Sequence, residues 1–331
     1  MHPLLWVGFA AVVLVMMALD LGVFHRKAHT VGFRESLAWT AVWIALALLF
    51  NVWIYLRLGG DSGLEFFTGY LIEYSLSVDN IFVFILVFSY FRVASEYQHR
   101  VLFWGVLGAL VMRLVFILVG AALISRFEWI LYLFGVFLIY SGVRMAQHKD
   151  VEVHPEHNPV LRLVRRIIPV SHDMSGGRFF VRQGGRRVAT TLFVVLVLVE
   201  TTDVIFAFDS IPAIFGITRN PFIVYTSNVF AIMGLRSLYF SLAGIMRMFH
   251  LLRYGLAAIL VFVGLKMLAE YWIHLPIFVS LGVVAAILAL SVAASLHWPA
   301  TRTRDEKVPS VVRHEEAEDT QHPNEVGRGM R

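Results

Sequence analysis

The chain has 331 residues, of which 58% are hydrophobic and only 15% charged, and none is cysteine. Soluble domains carry roughly 25% charged residues, so the composition points to an integral membrane protein. The lack of cysteine excludes disulfides, thiolate metal sites and cysteine nucleophiles. The net charge of +5 is concentrated in loops and gives no ground for nucleic-acid binding.

Nine apolar runs long enough to cross a bilayer follow in chain order: about 3–24, 36–57, 66–91, 101–124, 127–146, 189–215, 221–246, 253–272 and 276–298. The first lacks a basic leader and a small-residue cleavage site, and its apolar run is long for a signal peptide. It is therefore read as a span. The expected fold is all-α, a polytopic membrane domain over 1–298. Its long polar loop, 147–188, contains an amphipathic stretch at 158–169 suited to an anionic membrane surface. A hairpin is expected at Gly176–Gly185, from two short runs bounded by glycine pairs. The tail, 299–331, is charged and poor in large apolar residues, which is the composition of a disordered segment.

Basic residues orient the spans. Connections after spans 1, 3, 5 and 7 hold Arg26, Lys27, Arg34, Arg92, Arg100, Lys149, the arginines from Arg162 to Arg187, Arg247 and Arg253. Those after spans 2, 4, 6 and 8 hold Arg57, Arg126 and Arg219. The N-terminus is expected outside and the C-terminus in the cytoplasm.

Five carboxylates lie inside spans 3 and 6. Glu73-Tyr-Ser-Leu-Ser-Val-Asp79-Asn80-Ile81 in span 3 echoes Asp203-Val-Ile-Phe-Ala-Phe-Asp209-Ser210-Ile211 in span 6, with Glu200 just upstream. An ionised carboxylate at mid-bilayer costs at least about 2.5–3.5 kcal/mol, so such residues are rare without a role. The echo continues. Gly108-Ala-Leu-Val-Met-Arg113 matches Ala231-Ile-Met-Gly-Leu-Arg236, and Gly142-Val-Arg144-Met145 matches Gly264-Leu-Lys266-Met267. Spans 3–5 thus repeat as spans 6–8. Span 3 enters from the opposite side to span 6, which makes the repeat an inverted one, with its substrate site at the interface of the halves.

Helical geometry constrains how the acids can meet. Residues 3, 4 or 7 apart share a face, so Glu73, Ser77 and Asn80 align, as do Asp203 and Ser210. Six residues turn through about 600°, which sets Asp79 roughly 120° from Glu73 on a straight helix. A bend is therefore expected if all these oxygens are to converge, and in span 6 Pro212 supplies its cause. Pro212 cannot donate to the carbonyl of Phe208, and an oxygen freed beside Asp209 is a natural extra ligand.

Carboxylate, amide, hydroxyl and carbonyl oxygens are hard ligands for Mn²⁺, Ca²⁺ or Mg²⁺. The thirteen histidines lie in loops, in the tail or near span ends, which disfavours Cu⁺, Zn²⁺ and Ni²⁺. Ligand types alone leave the three hard ions open, and the surplus carboxylates are also candidates to carry protons. Asp20 and Asn228 are candidate further ligands, with Arg113 and Arg236 as counter-ions. An intramembrane aspartyl protease is disfavoured because the Tyr-Asp and Gly-x-Gly-Asp pairing is missing. No enzyme activity or resident cofactor is expected.

The stretch from Glu200 to Ala213 resembles the signature of the TerC family of integral membrane proteins. So do Glu73–Asn80, Pro221–Asn228 and Ala231–Phe240. The resemblance covers about residues 10–295. It implies a fold related to the LysE transporter superfamily, and the family's associations with manganese efflux, tellurite resistance and metal supply to exported enzymes. Glu73, Asp79, Asn80, Glu200, Asp203, Asp209 and Ser210 stand at the family's acidic motif positions. The expected protein is a bacterial inner-membrane exporter of a divalent cation, Mn²⁺ above others, with the metal ion and the bilayer as its partners. The rival expectation is an accessory protein that delivers metal to exported enzymes.

Overall fold

A computed structural model describes residues 3–24, 33–147, 161–162, 166, 169–171, 177–183, 186–242, 251–270, 272 and 275–297. The expected amphipathic segment at 158–169 lies mostly outside these residues, and the tail lies wholly outside them. The described chain is a helical bundle: α1 (Pro3–Phe24), α2 (Phe33–Leu58), α3 (Gly60–Tyr90), α4 (Ser95–Arg126) and α5 (Ile130–Gln147) precede a small sheet. After it come α6 (Thr191–Phe215), α7 (Pro221–Met233), α8 (Leu235–Leu242), α9 (Leu252–Ala269) and α10 (Ile277–His297). Seven of these helices are long and apolar enough to cross a membrane: α2, α3, α4, α5, α6, α9 and α10. The molecule is a multi-pass, all-α membrane protein.

The expected seventh span is not one helix. It breaks at Gly234 into α7, of 13 residues, and α8, of 8. At 1.5 Å per residue α7 is about 20 Å long, short of the ~30 Å hydrocarbon core. Its start is well specified: Asn220 accepts the Phe222 N–H at 3.1 Å and Pro221 takes the first helical position.

The third helix is the centre of the bundle. Seven-tenths of its apolar window is buried inside the protein, against a sixth for α10. Protein rather than lipid therefore surrounds its polar residues, which is the condition under which a bilayer protein tolerates them. The break between α2 and α3 is a single residue, Gly59, with φ of 100°. Only glycine adopts that conformation without strain.

Close helix packing in a bilayer needs small residues, because lipid supplies no hydrophobic drive between helices. The contact between α5 and α9 illustrates it. A Cβ on Gly264 would lie 2.6 Å from the Gly135 carbonyl oxygen and 2.8 Å from Ile139 Cγ1. One on Gly142 would lie 2.7 Å from the Ala257 carbonyl oxygen and 2.8 Å from Val261 Cγ2. As numbering rises along α5 it falls along α9, so the two helices are antiparallel. Adding 122 to Gly135, Ile139 and Gly142 gives Ala257, Val261 and Gly264, so the two sets of contacts are each other with the helices exchanged.

The polar loop contributes β1 (Val170–Ser171), β2 (Phe180–Gln183) and β3 (Arg186–Thr190) in the order β1-β3-β2. Strands β2 and β3 pair antiparallel, Phe180–Gln183 with Arg186–Ala189, so the strand pairing extends past the expected Gly176–Gly185 segment, and the glycine pair 184–185 lies outside the described residues. Strand β1 joins in parallel, which the glycine spacing does not predict. The sheet is tied to α4 by Arg100, which donates to the Gly177 carbonyl at 2.7 Å and lies over the Phe179 ring.

Candidate functional site

A buried oxygen cluster lies where α3, α4, α6 and α7 meet, and a guanidinium fills it. Arg113 of α4 is 1% exposed. Its Nη1 donates to Glu73 of α3, to Asn228 Oδ1 of α7 at 2.6 Å and to Ser210 Oγ of α6 at 3.3 Å. Its Nη2 donates to Asp203 Oδ1 of α6 at 3.3 Å. Glu73, Asn228 and Ser210 are fully or almost fully buried and Asp203 nearly so. Asn228 is held in turn by its amide, which donates to the Val224 carbonyl at 2.8 Å. Each carboxylate gives Arg113 one oxygen. The second oxygens, Glu73 Oε2 and Asp203 Oδ2, are buried without a hydrogen-bond partner in the protein, as is Ser77 Oγ one turn along α3.

Beside the cluster, Asp203 lines a cavity of about 20 Å³ walled by Phe84, Leu102, Val199 and Ile232, among others. A single water or a bare ion fits such a space; a hydrated metal ion does not.

The predicted ligands do not all converge. Asp203 and Ser210 share the cluster face, while Asp209 accepts from Ser141 Oγ of α5 at 2.7 Å. The cause is the rotation already evident in the spacing: six residues move a side chain about 9 Å along the helix and 120° around it. Glu200 lies elsewhere again. Its carboxylate covers Gly108 of α4 so closely that a Cβ there would be 2.0 Å from Oε1. Asn80 is buried on the Glu73 side of α3 but is not among the Arg113 acceptors. Arg236 is buried in the first turn of α8. The side chains of Asp79 and Asp20 lie outside the described set. Among the described residues no three His, Asp or Glu side chains form a ready-made metal cage. Two acids, one amide oxygen and one hydroxyl share a single cationic occupant instead.

Two features escape a reading of the sequence alone. Ser141 carries no signal until α5 is placed against α6. The apolar run at 66–91 leaves Glu65 outside span 3, but α3 begins at Gly60, so Glu65 lies within the helix and accepts from Thr218 Oγ1 at 2.7 Å. A signal for it exists: Glu65, Gly69, Glu73 and Ser77 recur every four residues, one row along the helix.

Comparison with known proteins identifies the lineage. A sequence model described as "Integral membrane protein TerC family" matches residues 58–304, which includes every helix of the cluster. The chain belongs to the TerC family. Among its TerC-type relatives, the "Uncharacterized membrane protein STKORF319" of Myxococcus xanthus is 51% identical over 313 residues, covering 93% of this chain and 97% of that one. A protein of Escherichia coli (strain K12) bearing the name "Putative membrane-bound redox modulator Alx" is 50% identical over 298 residues, covering 87% and 93%. An "Uncharacterized membrane protein" of Rickettsia bellii is 40% identical over 293 residues, covering 88% and 96%. No solved structure matches the chain.

Proposed function

We propose that this TerC-family protein exports a divalent cation, Mn²⁺ in preference to others, through the buried oxygen cluster by alternating access, with protons as the exchanged ions. The observation that carries the reading is the cluster itself: two carboxylates, an amide oxygen and a hydroxyl, drawn from α3, α6 and α7, in a membrane interior where uncompensated charge is costly. Such a donor set suits a hard cation stripped of most of its water, and the neighbouring cavity has no room for a hydration shell.

The architecture supports two antiparallel halves, α3–α5 and α6–α9. The exchanged contacts of α5 and α9 are what a twofold axis in the membrane plane produces, and the cluster draws Glu73 from the first half and Asp203, Ser210 and Asn228 from the second. Rocking one half against the other would open it to each side in turn. In this reading the protein sits in the inner membrane of a bacterium, with the basic loops in the cytoplasm. Glu200 and Asp209, apart from the cluster and half-buried, would carry protons. A redox role such as the name of the Escherichia coli relative suggests cannot run through thiols of this chain, which has no cysteine.

The deciding experiment is flux of Mn²⁺ in liposomes containing only the purified protein. Transport that is lost in Asp203→Asn, in protein that remains folded, supports the proposal. Inert wild-type protein would point instead to an accessory that hands metal to another carrier.

A further inference from the structure

We propose that Arg113 is a built-in stand-in for the transported cation: it fills the oxygen cluster when no ion is bound, and the substrate must displace it. The inference rests on the proposed export of a divalent cation through that cluster.

The first ground is that the ligands coincide. Every acceptor Arg113 uses is a hard oxygen that a divalent ion would use, and together they come from three helices in both halves of the bundle. Two cations on the same oxygens repel one another in a medium that screens them poorly. The cavity beside Asp203, of about 20 Å³, is too small for a hydrated ion. Occupation by Arg113 and by metal is therefore mutually exclusive.

The second ground is the imperfect fit of the guanidinium. A structural arginine–carboxylate pair is typically bidentate, with two parallel hydrogen bonds to one acid. Arg113 instead bridges two acids through one oxygen of each. It leaves Glu73 Oε2, Asp203 Oδ2, Ser77 Oγ and its own Nε buried without protein partners. Buried polar groups are normally satisfied. An ion at the centre of these oxygens can engage the ones that the planar fork does not reach.

Charge supplies the third. Glu73 and Asp203 in a membrane interior need a positive partner in every state through which the protein passes. When the ion has left, Arg113 provides it, so the empty carrier can return without a metal. Net flux then depends on Arg113, whereas exchange of one metal ion for another, in which the carrier is never empty, does not.

The test compares wild-type protein with Arg113→Gln and Arg113→Lys. Mn²⁺ binding is measured on purified protein by electron paramagnetic resonance of the free ion. Net flux and Mn²⁺/Mn²⁺ exchange are measured in liposomes. A competitor that fills the site most of the time lowers apparent affinity by the reciprocal of the free fraction, so its removal should tighten binding about tenfold or more. Arg113→Gln should also lose net flux and keep exchange. Arg113→Lys retains the charge and the conditions for folding, but a compact ammonium cannot span both acids; it should tighten binding in the same direction by less. If Arg113→Gln does not fold, the lysine variant decides on binding alone. Unchanged or weaker Mn²⁺ binding in the folded variants, or equal loss of exchange and net flux, would make Arg113 a fixed structural counter-ion and overturn the inference alone. Wild-type protein that binds no divalent cation would overturn the proposed function and this inference with it.

Discussion

Replacing Gly264 by alanine should destabilise the protein, and replacing Gly142 should do so by nearly the same amount. The new Cβ at Gly264 would meet the Gly135 carbonyl oxygen at 2.6 Å, where ordinary contact begins near 3.4 Å. The helices α5 and α9 must therefore part by about 0.8 Å, and a gap of that size forfeits a quarter to a half of each dispersion contact along the crossing. Overpacking of this kind costs about 1–3 kcal/mol. A backbone oxygen cannot rotate away, which places the cost toward the upper end. Alanine gains about 1 kcal/mol of helix propensity over glycine, so a net loss of roughly 1–2 kcal/mol remains. Gly142 faces the Ala257 carbonyl at 2.7 Å, and the same reasoning applies. A Cβ on Gly282 of α10 would meet nothing within 4 Å, so Gly282→Ala should be neutral or mildly stabilising. Unfolding of detergent-purified variants by denaturant, followed by tryptophan fluorescence, gives the three numbers. A Gly264→Ala protein as stable as Gly282→Ala would refute the tight crossing. A loss at Gly264 with none at Gly142 would refute the exchange symmetry between the halves.

Other outcomes follow from the same geometry. Asp79→Asn and Asp209→Asn should each abolish Mn²⁺ transport in liposomes while the protein still inserts and folds; wild-type rates in both would confine transport to the Arg113 cluster. Gly108→Ala should drive the Glu200 carboxylate from its seat and slow transport at least about tenfold if Glu200 carries protons, with little effect on Mn²⁺ affinity measured at one pH. Mn²⁺ should outcompete Mg²⁺ and Zn²⁺ in binding titrations, with Ca²⁺ the nearest rival, and affinity should fall as pH is lowered because protons compete for the same carboxylates. Single cysteines at Ser171 and Thr320 should resist an impermeant thiol reagent in intact cells, and one at Ser62 should react; labelling at Ser171 from outside would reverse the assigned orientation.

The amino-acid sequence alone determined the class of the molecule, the positions of most helices and the two buried acids, Glu73 and Asp203. These are local properties. An apolar run of twenty residues has one stable form in a bilayer, and a carboxylate within it is conspicuous wherever the helix goes. Rotation along a single helix is local too, so the alliance of Asp203 with Ser210 was legible from their spacing. The bend at Pro212 expected to bring Asp209 to the same site does not do so, and Asp209 meets Ser141 instead. The break at Gly234 was not, because a glycine in an apolar run is as compatible with a continuous helix as with two short ones. Only the tertiary structure decided which acids share a partner. Arg113 lies 40 residues from Glu73, 90 from Asp203 and 115 from Asn228. No periodicity links such positions; their meeting depends on how four helices cross. The same crossing put Glu200 on Gly108 and Asp209 on Ser141, and so turned one predicted constellation into a guanidinium-filled cluster with two outlying carboxylates.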